Sequence, residues 1–77
     1  MGIIRIHHTK EYPSINLKYI AHSFRAVLKD ERLISYGRVC QKGRHEALLL
    51  VISDMPTDAI TIRLQDYCPF VIVMGDD

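Results

Sequence analysis

The stretch Leu17-Lys18-Tyr19-Ile20-Ala21-His22-Ser23-Phe24-Arg25-Ala26-Val27-Leu28 decides how the chain is read. Its apolar residues are Leu17, Ile20, Ala21, Phe24, Val27 and Leu28. That spacing puts them on one side of an α-helix, the stripe that faces a core. Lys18, His22, Arg25 and Lys29 recur at helical spacing on the opposite side. The pattern predicts a main helix over 16–29, apolar on one face and basic on the other.

Working outward, Pro13, Ser14 and Asn16 mark the helix entrance. Either Ser14 or Asn16 can accept hydrogen bonds from the free N–H groups of the first turn. Upstream, Gly2-Ile3-Ile4-Arg5-Ile6-His7 alternates as a strand, with Ile4 and Ile6 on one face and Ile3, Arg5 and His7 on the other. Downstream, Lys29 suits the negative end of the helix, and Asp30-Glu31-Arg32 is its exit turn. Leu33 to Cys40 reads as a second strand, where Gly37 suggests a bulge or a close backbone approach. Gln41-Lys42-Gly43-Arg44 is a turn, with Gly43 available for a positive φ. Ala47 to Ile52 is a continuous apolar run, the mark of a central strand covered on both faces.

The stretch Ala59 to Leu64 carries two signals. Its alternation and β-branched residues suit a strand. Pro56, Thr57 and Asp58, however, suit the first turn of a helix that places Ile60, Leu64 and Tyr67 on one face. The helix is favoured, because its length suits a crossing back over a sheet. Cys68-Pro69 ends it, Pro69 to Met74 is the last strand, and Gly75-Asp76-Asp77 is a solvated tail.

The order is β-α-β-β-α-β, that of the ferredoxin-like fold. The expectation is one α+β domain over 1–77: a small two-layer sandwich with the main helix packed on a mostly antiparallel sheet. One sheet face is then bare, and its apolar residues call for a second copy or another partner to cover them.

Composition narrows the class. The chain has 77 residues and is 48% hydrophobic. No apolar run reaches the ~18 residues of a membrane span, and Met1 to His8 lacks the pattern of a signal peptide. A cytoplasmic protein without membrane contact is expected. Cys40 and Cys68 are then reduced and read as small buried hydrophobes. Net charge is +1, yet residues 1–45 hold nine Lys/Arg and three Asp/Glu, whereas residues 46–77 hold one and six. A basic docking face, or association between opposite charges, follows from that asymmetry.

Catalytic and metal signatures are weak. His7 and His8 are adjacent and point to opposite faces of a strand, while His22 and His45 lie on separate elements. Cys40 stands five residues from His45, but no motif supplies an orienting group or an oxyanion hole. No phosphate-cradling glycine loop is present. No enzyme activity, cofactor, metal or small-molecule substrate is expected.

Binding chemistry is better supported. The helix stripe Lys18, His22, Arg25 and Lys29, with Arg38, Lys42 and Arg44 around the hairpin, forms the candidate partner-binding set. The expectation is a small non-enzymatic regulator, inhibitor or adaptor of the kind phages and mobile elements also carry. It acts by protein–protein contact, with another protein or as a homodimer. The alternative is a nucleic-acid-binding module in which these residues contact phosphates and Tyr19 and Tyr36 stack on bases. The strands expected at the sheet centre, over 3–7 and 47–52, carry none of the aromatics that RNA-recognition domains place there.

Ala47 to Asp54, a polar helix start, Cys68 and Pro69 to Val73 together resemble the second half of the kink-turn RNA-binding ribosomal proteins. The likeness covers under half of the chain. The glycine-asparagine-glutamate helix start that reads RNA in that family is missing, since Gly37 is followed by Arg38 and Val39. The resemblance therefore implies a β-α-β unit and carries no RNA-reading residue over to this chain.

Overall fold

The computed structural model describes residues 1–76. Its elements are β1 Gly2–His8, α1 Leu17–Asp30, β2 Tyr36–Gln41, β3 Glu46–Ile52, α2 Thr57–Tyr67 and β4 Val71–Asp76. The strands form one sheet in the spatial order β2-β3-β1-β4, and each neighbouring pair is antiparallel. This is the ferredoxin-like arrangement. α1 packs over β2, β3 and β1, while α2 packs over β4 and β1.

Local chemistry sets the limits of α1. The Asn16 side chain, rather than Ser14, accepts the Tyr19 N–H at 3.1 Å. At the other end the Leu33 N–H bonds to the Leu28 carbonyl at 2.9 Å and the Arg32 N–H to that of Lys29 at 3.0 Å. These bonds form a left-handed helix cap, with Arg32 at φ 59° where glycine is usual. Leu17, Ala21, Phe24 and Leu28 are buried, whereas Ile20 and Val27 sit at the margin of the stripe.

The ambiguous stretch is helical. Thr57, Ile60, Thr61 and Leu64 face inward, and Ile62 is left 65% exposed, so its strand-like alternation has no partner to serve. Two glycines let α2 settle close to the sheet. A Cβ at Gly75 would sit 2.8 Å from Thr57 Cγ2, and one at Gly2 would collide with the Thr57 hydroxyl. Tyr67 does not join the inward face. It is mostly exposed, with its ring edge-on to Phe24 at 6.2 Å. Arg63 clasps Glu31 just beyond α1 through Nη2 to Oε1 at 2.6 Å and Nε to Oε2 at 3.2 Å. Hydrogen bonding from Arg63 holds the Glu31 carboxyl below its ordinary pKa; desolvation opposes it, and the Arg63 charge adds a lesser lowering.

Several boundaries differ from the sequence expectation. Leu33, Ile34 and Ser35 precede β2, because Ile34 turns into the core beneath α1. Gly37 makes a close approach and not a bulge: pairing with β3 is unbroken, and an added Cβ would lie 2.9 Å from Ile34 Cδ1. Gly43 does not take a positive φ. Phe70 sits in the turn before β4, its ring edge-on to Tyr12 at 5.1 Å. Gly75 and Asp76 belong to β4 rather than to a tail, while Asp77 lies outside the described residues.

The core lies between the sheet and the helices. Ile4 and Ile6 of β1, Ala47, Leu49 and Val51 of β3, and Val71 and Val73 of β4 meet Phe24, Leu28, Ile60 and Leu64. β3 is central as expected, but it is covered on one face only: Leu48 and Leu50 are half-buried and Ile52 is exposed. No helix among the described residues is long and apolar enough to cross a membrane.

Candidate functional site

Strand alternation sends every second residue to the face without helices. Cross-strand pairing sorts those side chains into rows. One row runs Arg38, Leu50, Ile3 and Asp76 from β2 to β4, and the next runs Cys40, Leu48, Arg5 and Met74. Glu46, His7 and Ile72 make a third, and Tyr36 pairs with Ile52 at the other end. Tyr36, Ile52, Ile72 and Met74 are 43–49% exposed. Tyr36 and Ile52 adjoin Leu50, Leu48 and Ile3, while Ile72 and Met74 lie on β4 beyond Arg5 and His7, and exposed apolar groups gathered on one face mark interaction sites.

Charged groups cross this surface and offset one another. Arg5 Nε and Nη2 donate to Asp76 Oδ2 at 3.1 and 2.9 Å. Its Nη1 stands 3.6 Å from Glu46 Oε2. His7 Nε2 lies 2.9 Å from the same oxygen, an ion pair when the ring is protonated. That contact is not aligned as a hydrogen bond, and Nε2 has no other partner among the described residues. Arg5 and Arg38 against Glu46 and Asp76 give the face no formal charge with His7 neutral.

The sheet edges are occupied by side chains from the helices. On α2, the Gln65 Nε2 donates to the Val71 carbonyl at 2.6 Å, and Oε1 accepts the Val73 N–H at 3.0 Å. On α1, Arg25 Nε donates to the Gly37 carbonyl at 2.7 Å. One carbonyl of β2 and two backbone groups of β4 are thereby engaged, which obstructs the addition of a further strand at those points.

The basic residues do not form one surface. Lys18, His22 and Lys29 remain on the solvent side of α1. Arg25 is half-buried and held by Gly37. Arg38 belongs to the open sheet face, on the far side of the sheet from α1. Lys42 and Arg44 are exposed in the turn between β2 and β3. Tyr19 projects from α1 and Tyr36 from β2, so the sheet separates them.

The histidines and cysteines are likewise dispersed. His8 Nε2 donates to the Ile15 carbonyl at 2.6 Å, and its Nδ1 faces His45 Nδ1 at 3.2 Å. The Ile15 bond fixes the proton of a neutral His8 on Nε2, so His45 is the donor between the two rings. Cys40 lies on the opposite side of the sheet from this pair, and Cys68 is buried at the C-terminal end of α2. Among the described residues no group of three or more His, Cys, Asp and Glu side chains is placed to hold a metal ion.

Sequence reasoning anticipated a bare apolar face and set Arg5 beside Ile3 and His7 on one side of β1, but not Glu46 and Asp76 against it. Arg5 was visible as a polar residue within an apolar strand, but its partners depend on register. Gln65 carried no sequence signal. No protein-family model matches the chain, and no curated protein matches it.

Proposed function

We propose that this is a small protein-binding module, a regulator, inhibitor or adaptor without catalytic activity, that docks through its open sheet face. The observation that carries this reading is the side chains that face presents. Ile52, Ile72, Met74 and Tyr36 stand close to half exposed around half-buried Ile3, Leu48 and Leu50. Desolvating such a surface is favourable at about 25 cal/mol per Å². Its ion pairs are arranged laterally, and they supply the polar specificity that interfaces combine with an apolar centre. Arg25 is held by the Gly37 carbonyl and Arg38 lies on the other side of the sheet, which leaves Lys18, His22 and Lys29 as a short solvated stripe.

The test compares wild type, Met74→Glu and the double change Lys18→Ala with Lys29→Ala. Each serves as bait in nuclease-treated extract of the source cells and in titration with DNA and RNA. Protein capture that survives nuclease and the lysine changes, but is lost in Met74→Glu, is the expected result. Nucleic-acid affinity that falls steeply with salt and follows Lys18 and Lys29 would instead favour the alternative reading.

A further inference from the structure

We propose that the partner seated on the open face is a second copy of this chain, related by a two-fold axis running along the strands between β1 and β3. The inference rests on the binding-face reading above. It starts from the row Arg38, Leu50, Ile3 and Asp76, which crosses all four strands at one level. That row is positive at the β2 edge and negative at the β4 edge. A two-fold axis along the strands lays β2 of one copy over β4 of the other and keeps residues at their own level. Arg38 then stands over the partner's Asp76, and Asp76 stands under the partner's Arg38. Between these two symmetric ion pairs, Leu50 meets the partner's Ile3 and Ile3 meets the partner's Leu50.

The dimensions allow this pairing. Edge strands lie about 7 Å from the axis, given strands spaced about 4.8 Å apart. Sheets stacked face to face rotate by about 30°, which displaces edge residues by about 4 Å at that radius. An arginine side chain spans such an offset. Arg38 is exposed, and the Asp76 side chain keeps 53% of its surface while it binds Arg5. Its second carboxylate oxygen, Oδ1, is the acceptor that remains.

Other arrangements fit less well. An axis across the strands would place β2 over β2, so Arg38 would meet a basic edge with no carboxylate. Addition of strands at either edge meets Arg25 on Gly37 and Gln65 on Val71 and Val73. Self-association across the face incurs no net repulsion, because its formal charges cancel with His7 neutral. Arg5, already held by Asp76 and Glu46, presents its aliphatic stem to the partner's Leu48.

The test uses sedimentation of Arg38→Glu and Asp76→Lys, alone and mixed in equal amounts. In a homodimer of the first variant, the introduced carboxylate faces the partner's Asp76. In a homodimer of the second, the introduced ammonium faces the partner's Arg38. Like charges then oppose one another, so each variant should be monomeric where wild type is dimeric. In the mixed dimer every position 38 faces an opposite charge. Mixing should therefore restore a dimer holding one copy of each, which a merely misfolded variant would not do. Wild type that stays monomeric throughout the micromolar range overturns the inference, as does a dimer untouched by either variant. A monomer whose protein capture is still lost in Met74→Glu overturns the second-copy inference alone. If Met74→Glu leaves both self-association and capture intact, the binding-face reading fails too.

Discussion

Arg25 Nε donates to the Gly37 carbonyl at 2.7 Å, so the basic side of α1 is joined to edge strand β2 at one point. Helical spacing groups Arg25 with Lys18 and Lys29, yet the three differ physically. Arg25→Ala leaves a half-buried carbonyl without its charged donor and is expected to cost about 1–2 kcal/mol. Lys18→Ala and Lys29→Ala should each stay within about 0.5 kcal/mol of wild type. Urea unfolding of the three single variants checks this. Equal stabilities would remove the Arg25–Gly37 contact from the account.

Gln65 does the corresponding work at the other edge. Gln65→Leu keeps the bulk and removes the donors and acceptor that meet Val71 and Val73. The Val73 amide should exchange its hydrogen faster, and stability should fall by about 1–2 kcal/mol. Unchanged protection at Val73 would show that the side chain does not hold that amide in solution.

Phe24 is fully buried at the centre of the α1 face and heads the large core side chains. Phe24→Ala is expected to cost about 3–5 kcal/mol, comparable with the low end of total stability for a domain of this size. A denaturation midpoint close to wild type would mean that the core closes over the gap.

The Glu31–Arg63 clasp gives a signed pH dependence. The folded carboxylate titrates below its ordinary range, chiefly through its hydrogen bonds from Arg63. Its stabilisation is therefore complete above the unfolded carboxylate pKa and is lost as pH falls through the lowered folded value. The stability gap between wild type and Glu31→Gln should be widest near neutral pH, close at acid pH, and shrink with salt, because both groups are exposed. Thermal midpoints of the two proteins across pH measure it. A gap that widened toward acid would contradict the assignment.

Much of this fold was legible because local signals agreed with one another. The stripe from Leu17 to Leu28 could pack only as a helix, and Asn16 and Lys29 bracketed it. The 59–64 stretch was ambiguous because a threonine can be buried on a helix only where the sheet leaves room. That room comes from Gly2 and Gly75, which are remote in sequence from Thr57 and Thr61. The apolar run over β3 was read as covered on both faces, since sequence does not reveal which face a helix will reach. The site was less legible for a related reason. Arg5, Glu46 and Asp76 come together only through the pairing of β1 with β3 and β4, and the helical spacing that grouped Arg25 with Lys18 says nothing about Gly37.

The pairing of two copies through the open sheet face turns on which side of each strand responds to concentration. Methyl NMR along a concentration series tests it most directly, because inward and outward residues alternate within one strand. Ile3, Leu48, Leu50 and Ile72 should shift as concentration rises, while Ile4, Ile6 and Leu49, which face the helices, should stay fixed. Shifts confined to the α1 side around Lys18, His22 and Lys29, or no shifts at the open face at any concentration, would contradict the account.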